Sequence, residues 1–530
     1  RSTPIKSSAA SDVYKRQILS GAFGTLLLAG SSCTANFEEI NRPGENITDE
    51  EYGRDNFKLQ SYFSQMIENV LSPQENSFQM NENLIGDVYG RYMTTANDAW
   101  NGSNFSVYNA QNSWIKYPFN DVMQKFTTPW YAVKESTDEN STVWAWAKIL
   151  RVAAMHRLID MYGALPYTQV TSESITVPYD DMKTAYHAML DDLTSAIETL
   201  TVYLSSSSDA LMPDVDVVYK GDMNKWVKFA NSLKLRLAMR LRAVEPEYAQ
   251  QMAEEAVGHS IGVITSNADA PRYPYPGNSP IWKMCTSWGD ARAAADIVSY
   301  MVGYQDPRLS LYFNSVTFSG FDGTYAGLRS GSTLTSKAWA DQYSCPAGEM
   351  DDDYLWMTAA EVAFLKAEGA LYNWNMGGST AEALYEEGIT LSFDQWGASG
   401  ASAYMENSTN TPADYSDPSG KLSTSAVSTI TVKWENGDTE KSLERIITQK
   451  WIAMYPLGQE AWSEYRRTGY PRFFSLAEQP VSYPTLTTVA ARIPFNPDEY
   501  TNNPNNINSS TVQQLLGGKD DYSTKLYWAK

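Results

Sequence analysis

Residues 221–241, GDMNKWVKFANSLKLRLAMRL, place Trp226, Phe229, Ala230, Leu233, Leu237 and Leu241 at the i, i+3, i+4, i+7 spacing of one buried helical stripe. Asp222 stands where a helix needs a side-chain acceptor for its first free N–H groups. This spacing is incompatible with a strand, whose apolar period is two, so the segment reads as a helix with one buried face. Residues 143–162 repeat the logic with Ala147, Leu150, Ala154, Leu158 and Met161, and Gly163 and Pro166 mark where that helix stops.

A helical hairpin is expected at 358–393. Thr358-x-x-Glu361 and Ser379-x-x-Glu382 both have the form of a capping box, with Asn375-Met376-Gly377-Gly378 as the turn between them. Small residues face the partner helix: Ala363, Ala367 and Ala370 in the first, Ala383 and Gly388 in the second. The unit resembles a tetratricopeptide hairpin without the full repeat signature.

Between the helical blocks lie three non-periodic stretches. Residues 82–131 hold eleven aromatics interleaved with asparagines; residues 267–292 are broken by four prolines and carry Trp282 and Trp288; residues 395–440 are rich in Ser, Thr, Gly and Asp. Loops of this length in a folded chain are usually functional or disordered; aromatic content favours function in the first two, and residues 395–440 read as an extended surface excursion.

Composition narrows the ligand. With 530 residues, 43% of them hydrophobic, the chain can bury a large core, so disorder is excluded as its main state. Its net charge of -21 repels nucleic acid, polyanionic glycans and anionic membrane surfaces, leaving neutral or cationic ligands. The 34 Tyr against 17 Phe supply flat faces with a polar handle. Three cysteines and three histidines, with no CxxC or HxxxH pair, argue against a metal centre, and no cofactor motif is present.

Residues 18–30, ILSGAFGTLLLAG, are too short to span a membrane and read as the apolar core of a signal peptide. They run into Ser31, Ser32 and Cys33, the pattern of a lipoprotein cleavage site in which Cys33 becomes the lipidated first residue. Residues 1–17 read as translated adaptor sequence rather than a natural leader, and residues 18–32 as signal peptide. Residues 33–530 are then expected to form one domain. The leader region, residues 1–32, holds four basic residues and one acid, so its loss leaves 37 basic against 61 acidic residues, a balance of -24.

Seven segments, in order, resemble the SusD/RagB (SusD-like) lipoproteins of the Bacteroidetes outer membrane. They are CTANFEEINRP at 33–43, LIDMYGALPYT at 158–168, the helix from Tyr219, DPRL at 306–309, MTAAEVAFLKAEGALYNW at 357–374, ITQKWIAMYPLGQEAWSEYRRTGYPRF at 447–473, and RIPFNPDEYTNN at 492–503. The resemblance implies a mostly α fold with four tetratricopeptide-like helix pairs and long irregular loops forming the ligand face. It implies a surface-exposed lipoprotein that binds glycan or another nutrient and hands it to a SusC-like TonB-dependent transporter. Glu38 and Glu39 resemble the acidic signal for export to the outer face.

Sugar recognition uses aromatic faces against C–H groups and planar amides or carboxylates against hydroxyls. The candidate binding residues are therefore Asp98, Trp100, Asn101 and Asn104 in one Gly-containing loop, followed by Tyr108 and Trp114, with Trp282 and Trp288 second. The competing reading has the tryptophans filling the core and the asparagines capping turns. The basic helix residues Lys225, Lys228, Lys234, Arg236, Arg240 and Arg242 read as a solvated face with some pairs to acidic neighbours, Arg466-Arg467 as framework, and Asp351–Asp353 as a solvated loop. His156 and His187 sit within helical periodicity. Cys285 and Cys345 either pair or remain ordinary thiols. The expected function is non-catalytic capture of an oligosaccharide; a secreted glycoside hydrolase using a carboxylate pair is the alternative, and a structural lid without affinity of its own a third.

Overall fold

The computed structural model describes residues 56–72, 74–170 and 176–530. The expected adaptor, signal peptide, Cys33 and Glu38–Glu39 lie outside these residues. Residues Lys58–Lys530 form one compact unit.

The fold is mostly α. Ten helices carry it: α1 (Phe57–Glu68), α2 (Thr142–Tyr162), α3 (Met182–Ser206), α4 (Met223–Leu241), α5 (Pro246–Gly258), α6 (Ala295–Tyr304), α7 (Ala359–Leu371), α8 (Ala381–Trp396), α9 (Thr439–Ala453) and α10 (Gly458–Thr468). Consecutive helices pack on each other in the pairs α2 with α3, α4 with α5 and α7 with α8, and α4 also touches α3 and α7. The α10 helix lies against a π-helical segment, Gln79–Asp87. A Cβ on Gly458 would sit 2.4 Å from the Asp87 backbone, and one on Gly86 would sit 2.7 Å from the Gln459 nitrogen, so glycine is required where these two elements cross.

The helix starts follow the local chemistry. Asp222 accepts from the Asn224 and Lys225 N–H groups, and Thr358 accepts from Glu361 N–H. Gly163, at φ +94°, ends α2 as expected. The start of α8 differs by one residue: Thr380, not Ser379, caps it through the Ala383 N–H. Both hydroxyls are competent caps, and the helix opens at Ala381 with Leu384, Tyr385, Gly388 and Ile389 buried.

The basic residues of this region divide: Lys225, Lys228 and Arg242 are half-buried, the last two paired with acids as expected, whereas Lys234, Arg236 and Arg240 turn inward. Arg236 pairs with Glu361 through two bonds of 2.7 and 2.8 Å, and Arg240 reaches Glu460 at 2.6 Å and Glu464 at 2.5 Å. Arg236, Arg240 and Lys234 are all buried, because α4 is flanked by acidic residues of α5, α7 and α10. The network continues through Arg467, which makes a bidentate pair with Glu368 and binds Glu464, so the framework role of Arg467 is visible directly. Burial raises the Glu460 carboxyl, but Arg240, Arg236 and Lys450 outweigh it and hold its pKa at about 2.

The stretches read as non-periodic are more ordered than expected. Residues 112–136 form successive short helical turns, and residues 395–440 are tied down by buried Tyr404, Tyr415, Ile430 and Trp434. The short pieces 112–115, 117–122 and 128–136 are too brief to show a helical period in sequence. Cys285 and Cys345 are both free thiols. Asp351–Asp353 are exposed, as expected of a solvated loop. Among the described residues no helix is long and apolar enough to cross a membrane.

Candidate functional site

Two antiparallel two-stranded ribbons position the irregular loops: β1 (Met93–Thr95) pairs with β3 (Ala291–Ala293), and β2 (Arg272–Tyr273) with β4 (Tyr354–Leu355). Thr95 lies opposite Ala291, and the pairing extends through Ala96 N–H to the Asp290 carbonyl at 2.8 Å. The residue 97–104 loop therefore leaves one strand just where the residue 288–290 loop enters its neighbour. Ala96 belongs to a second, smaller hydrophobic cluster with Leu334 and Tyr343, whereas Trp100 and Trp288 pack on the main core, so the loop crosses a seam between cores.

The Asp290 carboxylate joins the loops. It accepts from Asn97 Nδ2 at 3.0 Å and Gln79 Nε2 at 3.1 Å, with Lys337 Nζ at 3.4 Å. Lys337 also donates to the Gly289 carbonyl. Asn101 pins the other side: its Nδ2 donates to the Leu334 carbonyl at 2.9 Å and its Oδ1 accepts from Leu334 N–H at 3.0 Å. Both ends of that amide are thus occupied, and three loops, 97–104, 288–290 and 333–337, converge on one face.

The candidates separate by burial. Asp98 and Asn101 are exposed, and Trp100, Trp114, Trp282 and Trp288 are half-buried. Trp114 meets Trp100 edge-on at 5.3 Å between ring centres and so props its indole. Lys283 Nζ lies 5.9 Å from the Trp288 ring centre. Asn104 and Tyr108 do not face solvent: Asn104 is 5% and Tyr108 2% exposed. Asn104 donates to the Trp100 carbonyl at 2.8 Å and accepts from Ser106 Oγ. Tyr108 adopts the left-handed conformation at φ +53° and packs on Tyr89, Tyr483 and Tyr522; its burial pushes the phenol pKa well up. For these two residues the turn-and-core reading holds, because each finds its partners within the loop or the core beneath it. Trp282 belongs to a separate turn, Pro280–Trp282, outside the three converging loops.

Asp290, Leu334, Lys337 and Trp339 were not singled out in the sequence. Trp339 is half-buried on a turn capped by the Ser336 hydroxyl, which accepts from Trp339 N–H at 3.2 Å. That Ser-x-x-Trp cap was the available signal; the pairing of distant loops through Asp290 leaves none. Among the described residues no group of His, Cys, Asp and Glu is placed to hold a metal ion. The face can offer stacking surfaces and one free carboxylate, Asp98, on a rigidly tied loop.

Family comparison decides the lineage. The family model described as SusD and RagB outer-membrane lipoprotein matches residues 39–529. The chain belongs to the SusD-like family. A SusD homologue from Bacteroides uniformis is 39% identical at a TM-score of 0.85, covering 90% of this chain and 100% of its own. A chitin-binding SusD homologue from Flavobacterium johnsoniae is 35% identical, also at 0.85, covering 89% and 98%. A SusD homologue from Bacteroides thetaiotaomicron is 36% identical at 0.82, covering 89% and 99%. No curated protein matches the chain. The mostly α architecture of the SusD-like fold is thus shown by both the helices of this chain and these neighbours.

Proposed function

We propose that this SusD-like protein is a non-catalytic, glycan-binding lipoprotein, lipidated at Cys33, that captures oligosaccharide at the outer membrane surface and delivers it to a SusC-like TonB-dependent transporter. The observation that carries the reading is the tying together of three loops that carry half-buried Trp100 and Trp288 and exposed Asp98. The indoles stack on the C–H faces of the sugar, and Asp98 accepts from its hydroxyls. Asn101 acts as a positioning residue, since Leu334 occupies its amide. The chitin-binding relative makes chito-oligosaccharides the first ligands to try. No observation favours the glycoside-hydrolase alternative.

Isothermal titration against a panel of neutral oligosaccharides tests binding. Truncating a stacking residue at the centre of a site removes at least about 2 kcal/mol, roughly thirtyfold in Kd, so Trp100→Ala should lose that much affinity. Unchanged affinity in Trp100→Ala removes the loop face from the site, and absence of affinity for every glycan overturns the glycan reading in favour of another nutrient or a structural lid. Cys33→Ala tests the anchor, because the variant should leave the membrane fraction.

A further inference from the structure

On a different part of the molecule, a cavity of about 290 Å³ opens beside the β2–β4 ribbon and shares no lining residue with the three converging loops. One wall is aromatic: Tyr312 lies 4.4 Å from the Trp396 ring centre and 4.6 Å from that of Tyr455, stacked on the latter at 18°. Tyr312 and Tyr455 are buried, whereas Trp396 is half-buried and so keeps part of its indole at the opening. Gln395 Oε1 and Trp396 Nε1 are buried at this wall and make no hydrogen bond within the protein. The wall therefore holds one acceptor and one donor that the protein itself leaves unpaired. The rim carries exposed Arg272 on β2 and two exposed acids just before β4, Asp353 and Asp352, the latter accepting from Glu349 N–H at 2.7 Å.

Each feature selects against a different ligand class. Two acids against one arginine at the rim disfavour an anion, and the arginine weakens the pull on a cation. A purely apolar ligand would leave the Gln395 and Trp396 groups unpaired. A hydroxyl both donates and accepts, and so matches an amide oxygen and an indole N–H together. The volume lies at the lower end of small-molecule sites. We propose that this cavity is a second saccharide site, taking a single neutral pyranose unit stacked on Trp396, with Arg272 and Asp353 reaching its outer hydroxyls.

The full chain carrying Trp100→Ala separates this cavity from the loop face. Glucose, galactose, mannose and N-acetylglucosamine are the probes, followed by saturation-transfer NMR. At least one sugar should receive saturation from the Trp100→Ala protein, and its signal should fall at least fivefold on adding Trp396→Ala or Arg272→Ala. Arg272 is exposed, so its substitution tests the rim even where Trp396→Ala lowers the melting temperature. The proposal is overturned when no sugar receives saturation in the Trp100→Ala background, or when the signal persists in every cavity variant that melts at the parent temperature. Neither outcome touches the loop-face reading, which is measured on the wild-type protein with oligosaccharides.

Discussion

Asn101 shows how a residue chosen for its chemistry takes a different task in the fold. An exposed asparagine in a Gly-containing loop beside Trp100 has the composition of a sugar contact, yet both ends of its amide are spent on Leu334. A partner 233 residues away leaves no trace in local sequence. The same holds for Tyr108, where only its burial under Tyr483 and Tyr522 separates a core ring from a binding ring. Asp98, Trp100 and Trp288 keep exposed surface, in line with their place on Gly- and Pro-broken loops rather than on periodic helices. Asn101→Ala should release the loop from Leu334 and remove about 1 kcal/mol. Glycan affinity should accordingly drop about fivefold, with no change in the helical circular-dichroism signal. An affinity drop as large as that of Trp100→Ala would instead make Asn101 a direct contact.

At the scale of elements, long amphipathic helices were readable and short ones were not. The α2 helix stops at its Gly163 signal, and α4 and α7 start directly after the caps read in sequence, Asp222 and Thr358. The pieces between 112 and 136 are held by packing rather than by their own periodicity. For α8, the sequence reading places the cap at Ser379, and the structure moves it one residue on, to Thr380. Capping is measurable where it is unambiguous. Asp222→Ala removes the acceptor for two N–H groups of α4 and should lower stability by about 1 kcal/mol, read as a lower urea midpoint at unchanged slope. Ser379→Ala should leave the midpoint where it is.

Across the whole molecule, the -21 net charge hides an interior in which acids and bases are matched. Composition showed an acidic surface, but not that Arg236, Arg240, Lys450 and Arg467 are buried among Glu361, Glu368, Glu460 and Glu464. Removing one partner strands a buried charge, so Arg240→Met should destabilise by about 3–5 kcal/mol in denaturant unfolding. The pH response follows from the same interior. His156 is buried, with Arg236 and Arg157 nearby, so its pKa lies well below the ordinary value; Nδ1 donates to the Val152 carbonyl at 2.7 Å and Nε2 faces Arg236. The unfolded chain takes up a proton at this ring below a pH of about 6.5, and the folded one does not. Stability therefore falls as pH drops through that value. Glu460, held down at about 2 against 4.5, stabilises the fold at neutral pH, and that contribution is lost only as pH falls from 4.5 towards 2. Urea midpoints at pH 7.5 and 5.5 should differ in the wild type, and His156→Gln should narrow the difference; an equal difference in both would contradict this account. The central claim, that the SusD-like scaffold presents Trp100 and Trp288 as a glycan-binding face, is tested most directly by a crystal structure with the tightest-binding oligosaccharide of the panel. The account predicts a sugar ring stacked on Trp100 or Trp288 with a hydroxyl on Asp98. A glycan bound on the helical face, with residues 97–104 and 288–290 untouched, would contradict it.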